Sequence, residues 1–124
     1  MIKLDKKLEL IIPLFDNDGV KIDDTSIIRM LNNITKLAGG ATVYTVGGQW
    51  IGENGKAMRD QNQKYEWYAD QFTLESILDS RYIDSIIFDL LNEYGQEAVS
   101  MIINGTLYII DDIADLDYFR EVAV

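Results

Sequence analysis

Apolar and polar residues alternate along residues 7–15, placing Leu8, Leu10, Ile12 and Leu14 on one face. A period of two marks a half-buried strand. Pro13 has no N–H to give a ladder, so it belongs at a sheet edge or at the strand's end. Asp16-Asn17-Asp18-Gly19 then reads as a turn. The period changes after Asp24. Ile27, Met30, Leu31, Ile34, Leu37 and Ala38 recur at spacings of three and four, the apolar stripe of a helix. Asp23 or Asp24 caps its start, and Gly39-Gly40 ends it. Residues 41–51 and 64–69 return to β-rich composition. In the second run Tyr65, Trp67 and Ala69 face one way, and Lys64, Glu66 and Tyr68 the other. Gly52-Glu53-Asn54-Gly55 between the runs is a hairpin signal. The expectation is a long twisted arm with Trp50 near its tip and an irregular polar stretch over residues 59–63.

A second helical region opens at Thr73. Residues 74–80 read as a separate turn or short helix. Ile83, Ile86, Ile87, Leu90, Leu91 and Tyr94 then make the strongest helical stripe in the chain, closed by Gly95. Phe88 falls outside that stripe and is predicted to be partly exposed. Residues 96–103 and 106–110 flank Asn104-Gly105, a second hairpin signal. Residues 111–124 form an acidic tail, with Ile113, Leu116 and Phe119 spaced for a short docking helix. The order is strand, helix, strand, strand, helix, strand, with one strand added. It predicts an α+β, ferredoxin-like domain: an antiparallel sheet of four to five strands with two helices on one face. Residues 1–110 make the single domain and residues 111–124 the acidic tail or short helix.

Composition narrows the chemistry. The 124 residues contain no His and no Cys. Thiol nucleophiles, disulfides, imidazole bases and nitrogen- or sulfur-ligated metals are therefore excluded. Neither a metal nor a cofactor is expected, and no residue is assigned as catalytic. The run at Asp16 opens like a calcium loop, but an EF-hand needs Gly sixth and Glu twelfth. Here Gly19 is fourth and Ile27 twelfth. The formal net charge is −10, and the 11 Lys and Arg are scattered. Direct nucleic-acid binding, which needs clustered cations, is not expected. An acidic surface suits a basic partner protein, or simply keeps the chain soluble. Glu9 breaks the apolar part of the N-terminal segment, so no signal peptide is read there. No apolar run is long enough to span a bilayer. The expected location is the cytoplasm.

Gly40-Ala41-Thr42-Val43-Tyr44, Gly48-Gln49-Trp50-Ile51-Gly52 and Asn54-Gly55-Lys56 together resemble the signature of the domain of unknown function 3574 family. Gly95-Gln96-Glu97-Ala98-Val99 resembles that family's entry into its last strand. The resemblance spans roughly residues 8–103. Asp60 stands where the family usually has Glu after a basic residue. The resemblance implies a small ferredoxin-like bacterial domain and no established activity.

The candidate ligand- or partner-binding residues are Gln49, Trp50, Tyr44, Arg59, Tyr65, Trp67 and Tyr68. Gln49 and Trp50 make either a ligand-stacking corner or a cover for the end of the core. Tyr44, Tyr65, Trp67, Tyr68 and Tyr108 make either an apolar patch on the helix-free face of the sheet or part of the core beneath the helices. A patch would be covered most simply by a second copy, giving a twofold dimer through the sheet. Two functions follow. One is a small non-enzymatic interaction module, such as a prophage or mobile-element inhibitor whose acidic surface blocks a basic protein. The other is a cofactor-free dimeric enzyme or small-ligand binder, with Tyr44, Arg59 and Tyr65 around a pocket between sheet and helices.

Overall fold

In the computed structural model, which describes residues 1–121, the alternating N-terminal segment forms β1 (Lys6–Pro13) and ends at the proline. The turn follows, with the Asp16 carboxylate accepting from the N–H groups of Asp18 and Val20. Helix α1 (Thr25–Ala38) begins on Asp24, whose carboxylate accepts from Ser26 and Ile27. It stops where Gly39 turns left-handed at φ 91°, a conformation that glycine adopts without strain. Ile27, Leu31 and Ile34 point inward, while Leu37 faces solvent.

β2 (Thr42–Ile51) and β3 (Ala57–Ala69) form the arm. Residues 59–63 are not irregular: they pair residue by residue with β2, from Arg59 opposite Gln49 to Gln63 opposite Thr45. Polar side chains leave a strand intact where the ladder to its neighbour already takes up its backbone groups.

The second helical region divides into α2 (Gln71–Asp79) and α3 (Tyr82–Asn92). Arg81 between them sits at φ 65°. Phe88 is exposed. β4 (Val99–Ile103) and β5 (Thr106–Ile110) close on Asn104-Gly105, both at positive φ. Residues 96–98, expected within that strand, precede it. A 3-10 turn (Ile113–Asp117) and the short α4 (Tyr118–Glu121) follow. Leu116 and Phe119 from this segment join the common core. The last three residues of the tail lie outside the described residues.

The sheet order is β2-β3-β1-β4-β5, antiparallel throughout. Its first four strands have the ferredoxin-like arrangement, and β5 extends the edge beside β4. Leu8, Leu10 and Ile12 meet Trp67, Ala69, Val99, Met101 and Ile103 on one face, under the apolar stripes of α1, α2 and α3. The helices therefore share one side of the sheet, and among the described residues the other side is bare.

Candidate functional site

The arm outruns the rest of the sheet. β1 pairs with β3 from Lys6 opposite Ala69 to Pro13 opposite Asn62. Beyond that point residues 47–51 and 57–61 continue as a ribbon, with no third strand among the described residues. The chain after Pro13 makes one more bond to the ribbon, Leu14 N–H to Gln61 C=O at 3.0 Å, and then turns away. Between ribbon and turn opens a cleft of about 650 Å3. Phe15, Trp50 and Met58 supply its apolar wall and Asp16 and Asp60 its charges, while Arg59 borders it with its side chain leaving β3 on the Gln49 side. Asn17 donates to the Gly95 carbonyl at 3.1 Å, tying this turn to the end of α3.

One glycine in the Gly-Gln-Trp run makes room for a neighbour. Gly48 pairs with Asp60, and a Cβ on Gly48 would lie 2.0 Å from Asp60 Oδ1. The carboxylate therefore lies across the glycine. Asn62, itself buried, donates to the same oxygen at 3.2 Å. Trp50, 51% exposed, stands two residues further along the same face. Gln49 faces the other way and does not line the cleft.

A second cluster occupies the bare face of the sheet. Glu9 is only 5% exposed there, with Lys64 Nζ at 2.8 Å and Lys7 Nζ at 3.5 Å. Glu66 takes a hydrogen bond from the Tyr44 hydroxyl and lies 3.3 Å from Lys7. The Tyr44 bond lowers the Glu66 carboxyl further than burial raises it, with Lys7 helping. The same bond pushes the Tyr44 phenol up. The Lys64 ammonium is pushed up chiefly by Glu9. Lys7 also lies over the Tyr68 ring. These charges neutralise one another and form a fixed polar patch. Among the described residues, no three acidic side chains converge to hold a metal ion.

The candidate residues thus separate into three places. Trp50 lines the cleft with Arg59 at its border, and Tyr44 and Tyr68 belong to the bare-face cluster. Trp67 is fully buried, donates to Thr35 Oγ1 at 2.9 Å and stacks on half-buried Tyr65. Trp67 is a core residue, and its assignment to a binding surface is corrected. Alternation alone could separate it from Tyr68 but could not say which face the helices cover. Tyr44 and Tyr65 lie on opposite faces of the sheet and Arg59 lies out on the arm, so the pocket expected from those three does not assemble. Sequence reasoning does not reach Phe15, Met58 and Asp60 as a group, because what brings them together is the turn packing against the ribbon. Glu9 did carry a signal: a charged residue in mid-strand, opposite in phase to Leu8 and Leu10.

The fold and its cleft define a ferredoxin-like α+β protein with an extended β2–β3 arm. Among solved structures, it is similar to a phage SAM lyase in complex with S-methyl-5'-thioadenosine. The TM-score is 0.57 at 14% identity, over 90% of this chain and 95% of that one. The apo form of a phage SAM lyase gives 0.54 at 12% identity, over 90% and 95%. CutA from Synechococcus elongatus superposes more loosely, at 0.48 and 11% identity over 98% and 92%. No protein-family model matches the chain. No curated protein matches it in sequence.

Proposed function

We propose that this chain binds S-adenosylmethionine in the arm cleft and cleaves it, working as an oligomer of ferredoxin-like subunits. The observation that carries the reading is the lining of the cleft, where an exposed indole, the Phe15 ring and the Asp16 and Asp60 carboxylates meet in one open cavity. The ligand class comes from the phage SAM lyase, whose fold matches along nearly the whole chain. Trp50 and Phe15 offer aromatic faces for an adenine. The Asp60 carboxylate attracts a sulfonium cation. Forming S-methyl-5'-thioadenosine requires breaking the bond between sulfur and the amino-acid chain: the electron pair passes to sulfur while an oxygen of the substrate's own carboxylate bonds to the carbon that sulfur leaves, closing a lactone, so no proton has to move. The departing thioether is neutral and needs no proton, so a chain without His can support the step by electrostatic stabilisation. Incubation with S-adenosylmethionine followed by chromatography is expected to yield S-methyl-5'-thioadenosine. Trp50→Ala and Asp60→Asn should each slow its formation by about tenfold or more. Absence of both product and calorimetric binding would overturn the reading. Sedimentation of the pure protein tests the oligomer, and a monomer at working concentration removes that part.

A second reading keeps the chain as a non-enzymatic module, such as a prophage or mobile-element inhibitor, whose acidic surface binds a basic protein. The observation in its favour is a groove beside β5 lined by Asp115, Asp117 and Glu121, of which Asp117 is paired with Arg120 at 3.2 Å. The grouping of this chain with the domain of unknown function 3574 family rests on the Gly48-Gln49-Trp50-Ile51-Gly52 run and its flanking segments alone. A structure of a family member that lacks the β2–β3 arm would remove that grouping.

A further inference from the structure

Among the described residues the sheet ends at β5, where Thr106-Leu107-Tyr108-Ile109-Ile110 pairs only with β4. Across the two-residue turn Ile103 and Thr106 form the hydrogen-bonded pair, so Leu107 and Ile109 direct their N–H and C=O groups outward. Among the described residues no backbone bond outside the β4–β5 ladder reaches either of them. Edge strands are commonly protected by lysine, proline or a bulge, and β5 contains no lysine or proline. The side chains of Leu107 and Ile109 are 53% and 66% exposed. Beside them a groove of about 760 Å3 runs between β5 and the C-terminal segment. Tyr118 and Ala114 contribute apolar surface to it, and Asp115, Asp117 and Glu121 contribute charge.

We infer that the β5 edge docks an extended basic segment of another protein, one that alternates Lys or Arg with apolar residues and adds a strand to the sheet. The inference rests on the basic-partner reading and names its surface. Charge decides the occupant. Asp117 is paired with Arg120, but a second copy would still bring its own Asp115 and Glu121 against the same two carboxylates here, and like charges in register repel. A basic strand meets them with opposite charge, while its apolar residues cover Leu107 and Ile109. Main-chain bonds to the outward groups supply the rest of the affinity.

The test uses the full chain and a fluorescent peptide alternating lysine and valine, with a glutamate–valine peptide as control. Anisotropy should show binding of the lysine peptide alone, weakened by about tenfold or more at high salt. Ile109→Pro removes one outward N–H without touching the β4 ladder. Leu107→Lys sets a like charge on the surface. Each should weaken binding by about tenfold or more, and Trp50→Ala, at the opposite edge of the sheet, should leave it unchanged. Lysine-peptide binding that survives both edge variants would overturn the docking surface while leaving the basic-partner reading in place. No binding at all would overturn both. Self-association abolished by Ile109→Pro would assign the edge to a second copy and also overturn the inference. If circular dichroism shows that Ile109→Pro does not fold, Leu107→Lys carries the comparison.

Discussion

Gly48 lacks a side chain because the Asp60 carboxylate occupies the space that a Cβ would fill. A carboxylate is the movable end of a short side chain. Gly48→Ala should therefore displace Asp60 and break its bond from Asn62, costing about 1 kcal/mol in urea unfolding. At Gly47 a Cβ would meet its nearest neighbour at 4.0 Å, so Ala is accepted there with a change within about 0.5 kcal/mol. Equal losses at the two positions would show that Asp60 is not held over Gly48. Glu9 presents the opposite situation, a buried charge that depends on two lysines. Lys64→Met should destabilise by about 2 kcal/mol, below the ~3–5 kcal/mol expected when a buried pair loses its only partner, since Lys7 remains.

At the scale of elements, Asp24 joins two helices. It caps α1, and its second oxygen accepts from the Tyr94 hydroxyl at 2.9 Å, just beyond the end of α3. Burial raises its carboxyl, but the Tyr94 hydroxyl and the Ile27 and Ser26 N–H groups outweigh that and hold it below the usual carboxylate value. Burial and the same partner push the Tyr94 phenol up to about 12. A carboxyl lowered on folding stabilises above its unfolded pKa, and that contribution is lost as pH falls through the folded value. Asp24→Ala should thus cost about 1–2 kcal/mol near neutrality. The difference from the parent chain should shrink progressively below about pH 4. A difference independent of pH would show that the cap works without its charge. The α2–α3 junction is a second point of control. Arg81 holds a left-handed φ of 65°, and Arg81→Gly should stabilise by about 0.5–1 kcal/mol, less whatever its exposed pair with Asp84 contributes.

For the whole molecule, a net charge of −10 with 21 acidic residues makes the folded state self-repelling. Added monovalent salt should raise the melting temperature, and a flat response would show that local pairs already balance the field. By itself the sequence determined the order of the elements, the strand and helix periods, the turns at Asn54-Gly55 and Asn104-Gly105 and a helix cap at Asp23 or Asp24, of which the structure uses Asp24. Each depends on neighbours within a few positions, where backbone sterics and side-chain spacing act directly. It also showed that Trp67 and Tyr68 must part. Which ring went under the helices, how far β3 ran past β1, and which side chains met at the cleft were decided only by the tertiary structure. Phe15, Trp50 and Asp60 come together because β1 stops at Pro13 while its neighbour continues. Glu9 and Glu66 become neighbours only once β1 and β3 pair. Such contacts depend on register between distant segments, and no local period encodes that register.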